Sequence, residues 1–160
     1  EHGVVVATVA EGKEEAGAKF RDYFAYSEPY ARVAPHRALA LFRGRNEDVL
    51  RVALKLPEDV AAGDALAKPA NACERRIAER FGIADRGRKA DAWLVQSARW
   101  TWSVKLAWQL ETELFAQLRE RAEAEAIRVF AANLHDLLLA APAGNRVTMG
   151  LDPGLRTGVK

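Results

Sequence analysis

The longest unbroken pattern in this chain is at residues 91–141, which read DAWLVQSARWTWSVKLAWQLETELFAQLRERAEAEAIRVFAANLHDLLLAA. The stretch contains neither glycine nor proline, so nothing in it stops a helix. Apolar residues recur every three or four positions, as they do on one face of an amphipathic helix. They form two stripes, Leu110, Leu114 and Leu118, and then Ile127, Phe130, Leu134 and Leu138. We predict two long helices, or one bent helix, with Asp91 as the N-terminal cap.

Four tryptophans lie within sixteen residues of this stretch. Residues 100–108 also alternate between apolar and polar side chains, which is the period of a strand, but the flanking helical patterns and the lack of turn residues favour a helix. A helix that is apolar all round is expected to be buried. We therefore interpret the tryptophans as helix-packing core, with a base-stacking platform as the alternative.

Upstream of this stretch, the sequence predicts shorter elements. Residues 11–26 place Phe20, Tyr23 and Phe24 at helical spacing, and Pro29 follows, so we expect a helix that ends before it. A second helix is predicted to begin after Pro35 and to end near Gly44. Residues 50–56 alternate between apolar and polar side chains and give the one clear strand of the body.

The remaining segments divide the chain into three predicted regions. Residues 56–69 are rich in Pro, Gly, Asp and Ala and resemble a linker, after which Asn71 can cap a helix that extends to Gly82. A new strand is predicted at residues 147–151. The fold class is therefore mainly α, with one short internal strand and a C-terminal strand and turn. The regions are residues 1–57, 58–141 and 142–160.

Composition limits the class of protein. The chain has 160 residues, 49% of them hydrophobic, which is enough to bury a core. We expect no membrane span, because charged residues interrupt every apolar stretch. Residues 1–6 lack a basic leader and a cleavage site, so we expect no secretory signal. The single cysteine, Cys73, has no partner within the chain for a disulfide and is interpreted as a packing residue, which fits the cytoplasm.

Charge is unevenly distributed, although the net charge is only +2. Residues 75–105 include eight basic residues and only three acidic ones, and three of the basic residues are close to Gly87 in the sequence. This stretch could face phosphates. The alternative is a solvated helix-loop-helix surface, which the lack of aromatic side chains in the loop favours.

Motifs for metal or cofactor chemistry do not occur in the sequence. There is no His-Glu-x-x-His, no phosphate-binding loop and no pair of cysteine ligands, and the three histidines are scattered. We therefore predict no metal, no cofactor and no catalytic residue in this chain.

Two runs of sequence resemble the Tex family of transcription accessory proteins. The first comprises EGKEE at 11–15, GAKFRDYF at 17–24, SEP at 27–29 and HRALALFRG at 36–44. The second is GLDPGLRTGVK at 150–160, with Phe130, Pro142 and the leucines near residue 138 upstream of it. The resemblance covers essentially the whole chain and identifies it as an internal fragment of a family member.

The resemblance implies a helical region that leads into the first strand and turn of an RNase H-like (YqgF) domain. Asp152 matches the first carboxylate of that domain, whose partner carboxylates would lie beyond Lys160. Two-metal cleavage needs several carboxylates, so we expect no enzyme activity from this chain.

The resemblance also implies a nucleic-acid function, particularly with RNA, in transcription. We expect a helical scaffold that contributes to RNA binding through the parent protein, with the transcription machinery as a possible partner class. The alternatives are a protein-interaction module and part of a metal-dependent nuclease in a longer parent. The candidate nucleic-acid contacts are Lys13, Lys19, Arg21, Arg43, Arg45, Arg86, Arg88 and Lys89.

Overall fold

The computed structural model describes residues 2–63, 69–154 and 158–159. The chain forms two compact units, residues 1–127 and residues 128–160. Helical elements dominate, which confirms the prediction of a mainly α fold. The α-helices are α1 (Pro35–Asn46), α2 (Pro57–Ala62), α3 (Ala72–Arg80), α4 (Asp91–Trp100) and α5 (Ala107–Leu138). None of the helices in the described part of the chain is long and apolar enough to cross a membrane.

The first unit contains an antiparallel sheet that the sequence only partly predicted. Its strands are β1 (Val4–Val9), β2 (Ala25–Pro29) and β3 (Leu50–Lys55), in the order β2-β1-β3. The prediction of β3 is confirmed, but the expectation that it is the only strand of the body is wrong. β1 is rich in β-branched residues and buries Val5 and Ala7 on one face, as the central strand of a half-covered sheet does.

The helix predicted over residues 11–26 is also wrong. The segment forms turns, a short 3₁₀ helix (Ala18–Tyr23) and then β2. Gly12 has a φ of +73°, which ends any helix there, and Gly17 packs so closely that a Cβ would lie 2.3 Å from the Val49 side chain. Phe20 is buried all the same. Tertiary packing therefore overrides the local helical spacing.

The shorter helices agree more closely with the predictions. Pro35 occupies the first turn of α1, and Asn71 caps α3 by accepting a hydrogen bond from the Glu74 amide at 2.9 Å. The predicted linker contains α2, while residues 64–68 lie outside the described part of the chain. The cap predicted at Asp91 is wrong, since Ala90 is the N-cap and Asp91 is the first helical residue.

The long helical run is confirmed, with a π-helical turn (Thr101–Leu106) joining α4 directly to α5. The predicted burial of its tryptophans is wrong for three of them, since Trp93, Trp100 and Trp108 are 70%, 53% and 72% exposed. The buried apolar side chains among the described residues of this run are Ala98, Phe115, Leu118 and Ala122. Trp102 is half-buried.

The core of the first unit joins the sheet, α1 and α5. Leu41 and Phe42 of α1 pack in one cluster with Val5 of β1 and with three side chains of α5, namely Phe115, Leu118 and Ala122. The Tyr30 hydroxyl donates a hydrogen bond to the Leu114 carbonyl at 2.9 Å and fixes the same contact. Residues on both sides of position 57 thus share one hydrophobic core.

The second unit contains the C-terminal end of α5 and a two-stranded ladder. The ladder pairs β4 (Pro153–Gly154) with β5 (Gly158–Val159). The strand predicted at residues 147–151 is wrong, because this segment is exposed and has no regular structure. The second apolar stripe of α5 is exposed at Phe130 and Leu134 in this unit.

Candidate nucleic-acid interface

A basic loop between α3 and α4 brings three of the predicted contact residues together. Gly87 turns the loop with a φ of +77°. The buried Asp91 carboxylate accepts hydrogen bonds from the backbone amides of Arg86 at 2.8 Å and Arg88 at 3.0 Å. The loop at residues 84–90 is therefore folded around one acidic side chain.

The same carboxylate binds the Arg88 guanidinium. Arg88 Nε lies 2.9 Å from Asp91 Oδ1, and a second guanidinium nitrogen lies 2.8 Å from that oxygen. The hydrogen bonds from Arg88 and from the Arg86 amide lower the pKa of Asp91 to about 2. Arg88 thus holds the loop in place, while the side chains of Arg86 and Lys89 are exposed to solvent.

A second group of predicted cations lies near the C-terminal end of α1. Lys19 of the 3₁₀ helix forms an ion pair with Glu47 at 2.6 Å, next to the last turn that carries Arg43 and Arg45. The Arg45 guanidinium lies 5.7 Å from the centre of the Phe115 ring. Arg43 is exposed. The C-terminal end of a helix also stabilises basic side chains, because the helix macrodipole is negative there.

The sequence reasoning missed two arginines of α5 that lie on aromatic rings, and of these Arg119 contacts α1 next to this surface. Arg119 of α5 stacks over the Phe42 ring at 4.8 Å, and Arg121 lies 5.9 Å from the Tyr30 ring. Phe42 and Phe115 themselves make an edge-to-face contact at 5.8 Å. The four-residue spacing of Phe115 and Arg119 places both on one face of a helix, but nothing in the local sequence indicates the contact of Arg119 with Phe42. Guanidinium groups on aromatic rings present flat, charged surfaces.

The two remaining predicted contacts are Lys13 and Arg21. Both are exposed, Lys13 in the turn after β1 and Arg21 in the 3₁₀ helix. Six of the eight candidates therefore form two groups, namely Arg86, Arg88 and Lys89 in the 84–90 loop and Lys19, Arg43 and Arg45 around the end of α1.

Asp152, the predicted first carboxylate of a nuclease site, is exposed and directly precedes β4. Among the described residues, no three histidine, cysteine or acidic side chains lie close enough to hold a metal ion. Cys73 is half-buried, and burial raises the pKa of its thiol. A raised thiol pKa disfavours the nucleophilic thiolate form.

Comparison with known proteins defines the family. Residues 1–130 match the model of the Tex central region-like family. The chain is 55% identical to Protein YhgF of Escherichia coli strain K12 over 98% of its length, and 50% identical to the transcriptional accessory protein Tex of Neisseria gonorrhoeae over 95%. It is 29% identical to the human S1 RNA-binding domain-containing protein 1 over 89% of its length.

The chain spans about a fifth of the two bacterial relatives, 20% and 19% of their lengths, and 14% of the human one. The family model and the identities agree on one class of protein. The chain belongs to the Tex family of transcription accessory proteins, and its residues 1–130 correspond to the central region of the family.

Proposed function

We propose that this chain is a helical scaffold of a transcription accessory protein and that it binds RNA through its exposed cations. The observation that carries the proposal is the loop folded around Asp91, which holds Arg86 and Lys89 towards solvent on a fixed backbone. A fixed backbone lowers the entropy lost when side chains bind phosphate. The S1 RNA-binding name of the human relative also supports RNA as the ligand.

The eight predicted cations have different roles in this proposal. Arg86, Lys89, Arg43, Arg21 and Lys13 contact phosphates, and Arg45 presents its guanidinium from the Phe115 ring. Arg88 positions the loop through Asp91, and Lys19 is partly neutralised by Glu47. Arg119 joins the phosphate-binding surface at the end of α1 from α5.

A binding assay with salt titration tests this proposal. A fluorescein-labelled single-stranded oligouridylate is titrated with the chain, and polarisation reports the affinity. Arg86→Gln with Lys89→Gln should weaken binding by roughly tenfold at low salt and reduce the salt slope by about 0.7 for each phosphate that the variant no longer neutralises. The matched control is Arg51→Gln with Lys55→Gln, two exposed cations of β3. Undetectable binding to RNA and DNA at low salt, or an equally weakened affinity in the control, would contradict it.

We further propose that residues 142–160 begin an RNase H-like domain and that this chain has no catalytic activity of its own. The support is the resemblance of residues 150–160, with Asp152 in the position of the first carboxylate. Nuclease activity, where a longer parent has it, requires carboxylates from other strands. We propose the cytoplasm as the compartment, because Cys73 is a free thiol and transcription is the family's setting.

A second candidate function is a protein-interaction module. Trp93, Trp100 and Trp108 are more than half exposed, and Val104 between them is 50% exposed. Large exposed apolar patches on soluble proteins mark sites of protein–protein interaction. Co-sedimentation with purified bacterial RNA polymerase, lost on Trp100→Ser with Trp108→Ser while RNA binding persists, would support this function. Co-sedimentation that these substitutions leave unchanged would argue against it.

A further inference from the structure

A groove between α3 and the π-helical turn lies outside the two groups of cations described above. It has a volume of about 250 Å³. Ile77 of α3 and Trp102 and Leu106 of the turn line it with apolar side chains, and Cys73 contributes its half-buried thiol. Two arginines of α3, Arg76 and Arg80, also line it. We call this site the α3 groove.

The spacing of the residues explains how the α3 groove forms. Cys73 and Ile77 are four residues apart in α3, as are Arg76 and Arg80, so each pair shares one face of the helix. Trp102 and Leu106 are four residues apart in the turn. A π-helical turn contains more residues than an α-helical turn, and such turns are frequent at functional sites.

The two arginines of the α3 groove are not paired with acidic side chains within the described residues, although Glu58, Asp59 and Glu74 lie near enough to Cys73 to add to the effect of burial in raising the pKa of its thiol. Neighbouring arginines are paired, since Arg75 binds Glu58 at 3.4 Å and Arg99 binds Glu74 at 3.6 Å. Neither Arg76 nor Arg80 forms an ion pair in the described part of the chain. Arg80 lies 5.9 Å from the Phe81 ring, which is 73% exposed. An apolar lining beside two arginines is complementary to an apolar ligand with negative charge.

We propose that the α3 groove binds an acidic amphipathic segment of a partner protein. A large apolar side chain of that segment occupies the space between Ile77 and Leu106, and flanking carboxylates bind Arg76 and Arg80. Guanidinium groups bind carboxylates with two parallel hydrogen bonds, which adds specificity to the charge attraction. The proposal rests on the protein-interaction function above and names the chemistry of the partner.

RNA fits the α3 groove less well than such a segment. Sequence-tolerant RNA sites combine a basic track with aromatic faces on which bases stack. Trp102 and Phe81 also line the groove, but Trp102 is half-buried and the Arg80 guanidinium lies 5.9 Å from the Phe81 ring, so both rings already have contacts within the chain. The aliphatic side chains of Ile77 and Leu106 match the apolar anchors that peptide-binding grooves accept. The observations therefore favour a protein segment over a nucleic acid.

Fluorescence polarisation on the whole 160-residue chain tests the proposal. The probes are a labelled peptide that contains Glu-Asp-Leu-Phe-Glu-Asp-Leu-Leu, the same peptide with lysine in place of each acidic residue, and single-stranded oligouridylate. The acidic peptide should bind saturably and the lysine peptide at least about tenfold more weakly. Arg76→Gln with Arg80→Gln should weaken the acidic peptide by roughly tenfold, and Leu106→Glu should abolish its binding.

Matched controls separate local effects from loss of fold. Arg51→Gln with Lys55→Gln removes two cations elsewhere, and Ile127→Glu places an acid on an exposed apolar side chain of α5. Both controls should leave the peptide affinity within about twofold, because they lie outside the α3 groove. Circular dichroism reports folding, and the arginine pair alone decides the outcome if Leu106→Glu unfolds the chain.

Several results would overturn the proposal. The proposal fails if the acidic peptide shows no saturable binding, or if Arg76→Gln with Arg80→Gln leaves its binding unchanged. Loss of oligouridylate affinity in that variant without loss of peptide affinity would also contradict the proposal. Self-association that the arginine pair abolishes, with no peptide binding, would assign the groove to a second copy of the chain. The RNA-binding proposal is tested independently, because Arg86→Gln with Lys89→Gln should leave peptide binding unchanged. If the chain with Arg76→Gln and Arg80→Gln still co-sediments with RNA polymerase, the protein-interaction function does not depend on this groove.

Discussion

Asp91 and Arg88 form an ion pair in which Arg88 Nε lies 2.9 Å from Asp91 Oδ1 and 3.2 Å from Asp91 Oδ2. The carboxylate is 1% exposed, whereas the guanidinium side chain is 62% exposed. A buried acid therefore organises a solvated loop. This relationship makes the stability of the loop sensitive to acid.

The first prediction concerns pH. The pKa of Asp91 is about 2 in the folded chain against an ordinary value of 3.8. A lowered folded pKa means that the ionised carboxylate stabilises the fold above pH 3.8 and that this stabilisation is lost as the pH falls towards 2. The free energy of unfolding should therefore decline across this interval. Denaturant titrations at several pH values measure it, and Asp91→Asn should flatten this part of the curve. An unchanged slope in Asp91→Asn would exclude Asp91 as the cause.

The second prediction concerns the ion pair of Lys19 and Glu47. The two side chains are 59% and 39% exposed, so water and salt screen their attraction. A double-mutant cycle with alanine at both positions should give a coupling energy of about 0.2–1 kcal/mol, which decreases as salt is added. A larger coupling that is insensitive to salt would show that the pair is more rigid than its exposure indicates.

A third prediction compares two glycines. A Cβ at Gly17 would lie 2.3 Å from a Val49 methyl group and 2.8 Å from the Lys13 carbonyl oxygen, so Gly17→Ala forces the chain apart. We expect a loss of about 1–3 kcal/mol in the free energy of unfolding. Gly150→Ala meets nothing within 4 Å and should change stability by no more than about 0.5 kcal/mol. Equal effects in thermal or chemical unfolding would contradict the close packing of Gly17 on Val49.

The fourth prediction tests the packing of α5 on the sheet. Leu118 is 1% exposed within the core, so Leu118→Ala should cost about 2–5 kcal/mol of unfolding free energy. Leu137 lies on the same helix but is 74% exposed, and Leu137→Ala should be neutral within about 0.5 kcal/mol. If Leu118→Ala were also neutral, residues on either side of position 57 would not share one core.

Local signals explain the parts of the fold that the sequence predicted. Pro35 fits only the start of a helix, the Asn71 side chain caps the next helix, and alternation alone identifies β3. Each of these depends on neighbours within a few residues. The long helix was predictable for the same reason, because its apolar period is regular over many turns.

The sheet and the surface could not be predicted in this way. β1 pairs with strands that begin near residues 25 and 50, and the close contact of Gly17 with Val49 spans thirty-two positions, so both depend on the assembled fold. The exposure of Trp100 shows the same limit, since the sequence reports that a side chain is apolar but not whether anything covers it.

The candidate site was predicted as a set of charges but not as an arrangement. Arg86 and Lys89 are exposed, whereas Arg88 is bound to Asp91 and holds its own loop. That role follows from the three-residue spacing of Arg88 and Asp91, once the loop between them is known. Arg119 was overlooked because its position on the surface depends on contact with the Phe42 ring of another helix.

The π-helical turn at Thr101–Leu106 has a consequence for insertions and deletions. Each residue of an α-helix advances about 100° around the axis, so the extra residue of a π turn sets the angular phase of everything after it. Deleting one residue here would rotate Phe115 and Leu118 away from the sheet by about a quarter of a turn. The π-helical turn therefore sets the rotation of α5 relative to α4, so that the tryptophan-rich segment and the segment that packs in the core belong to one continuous helical run.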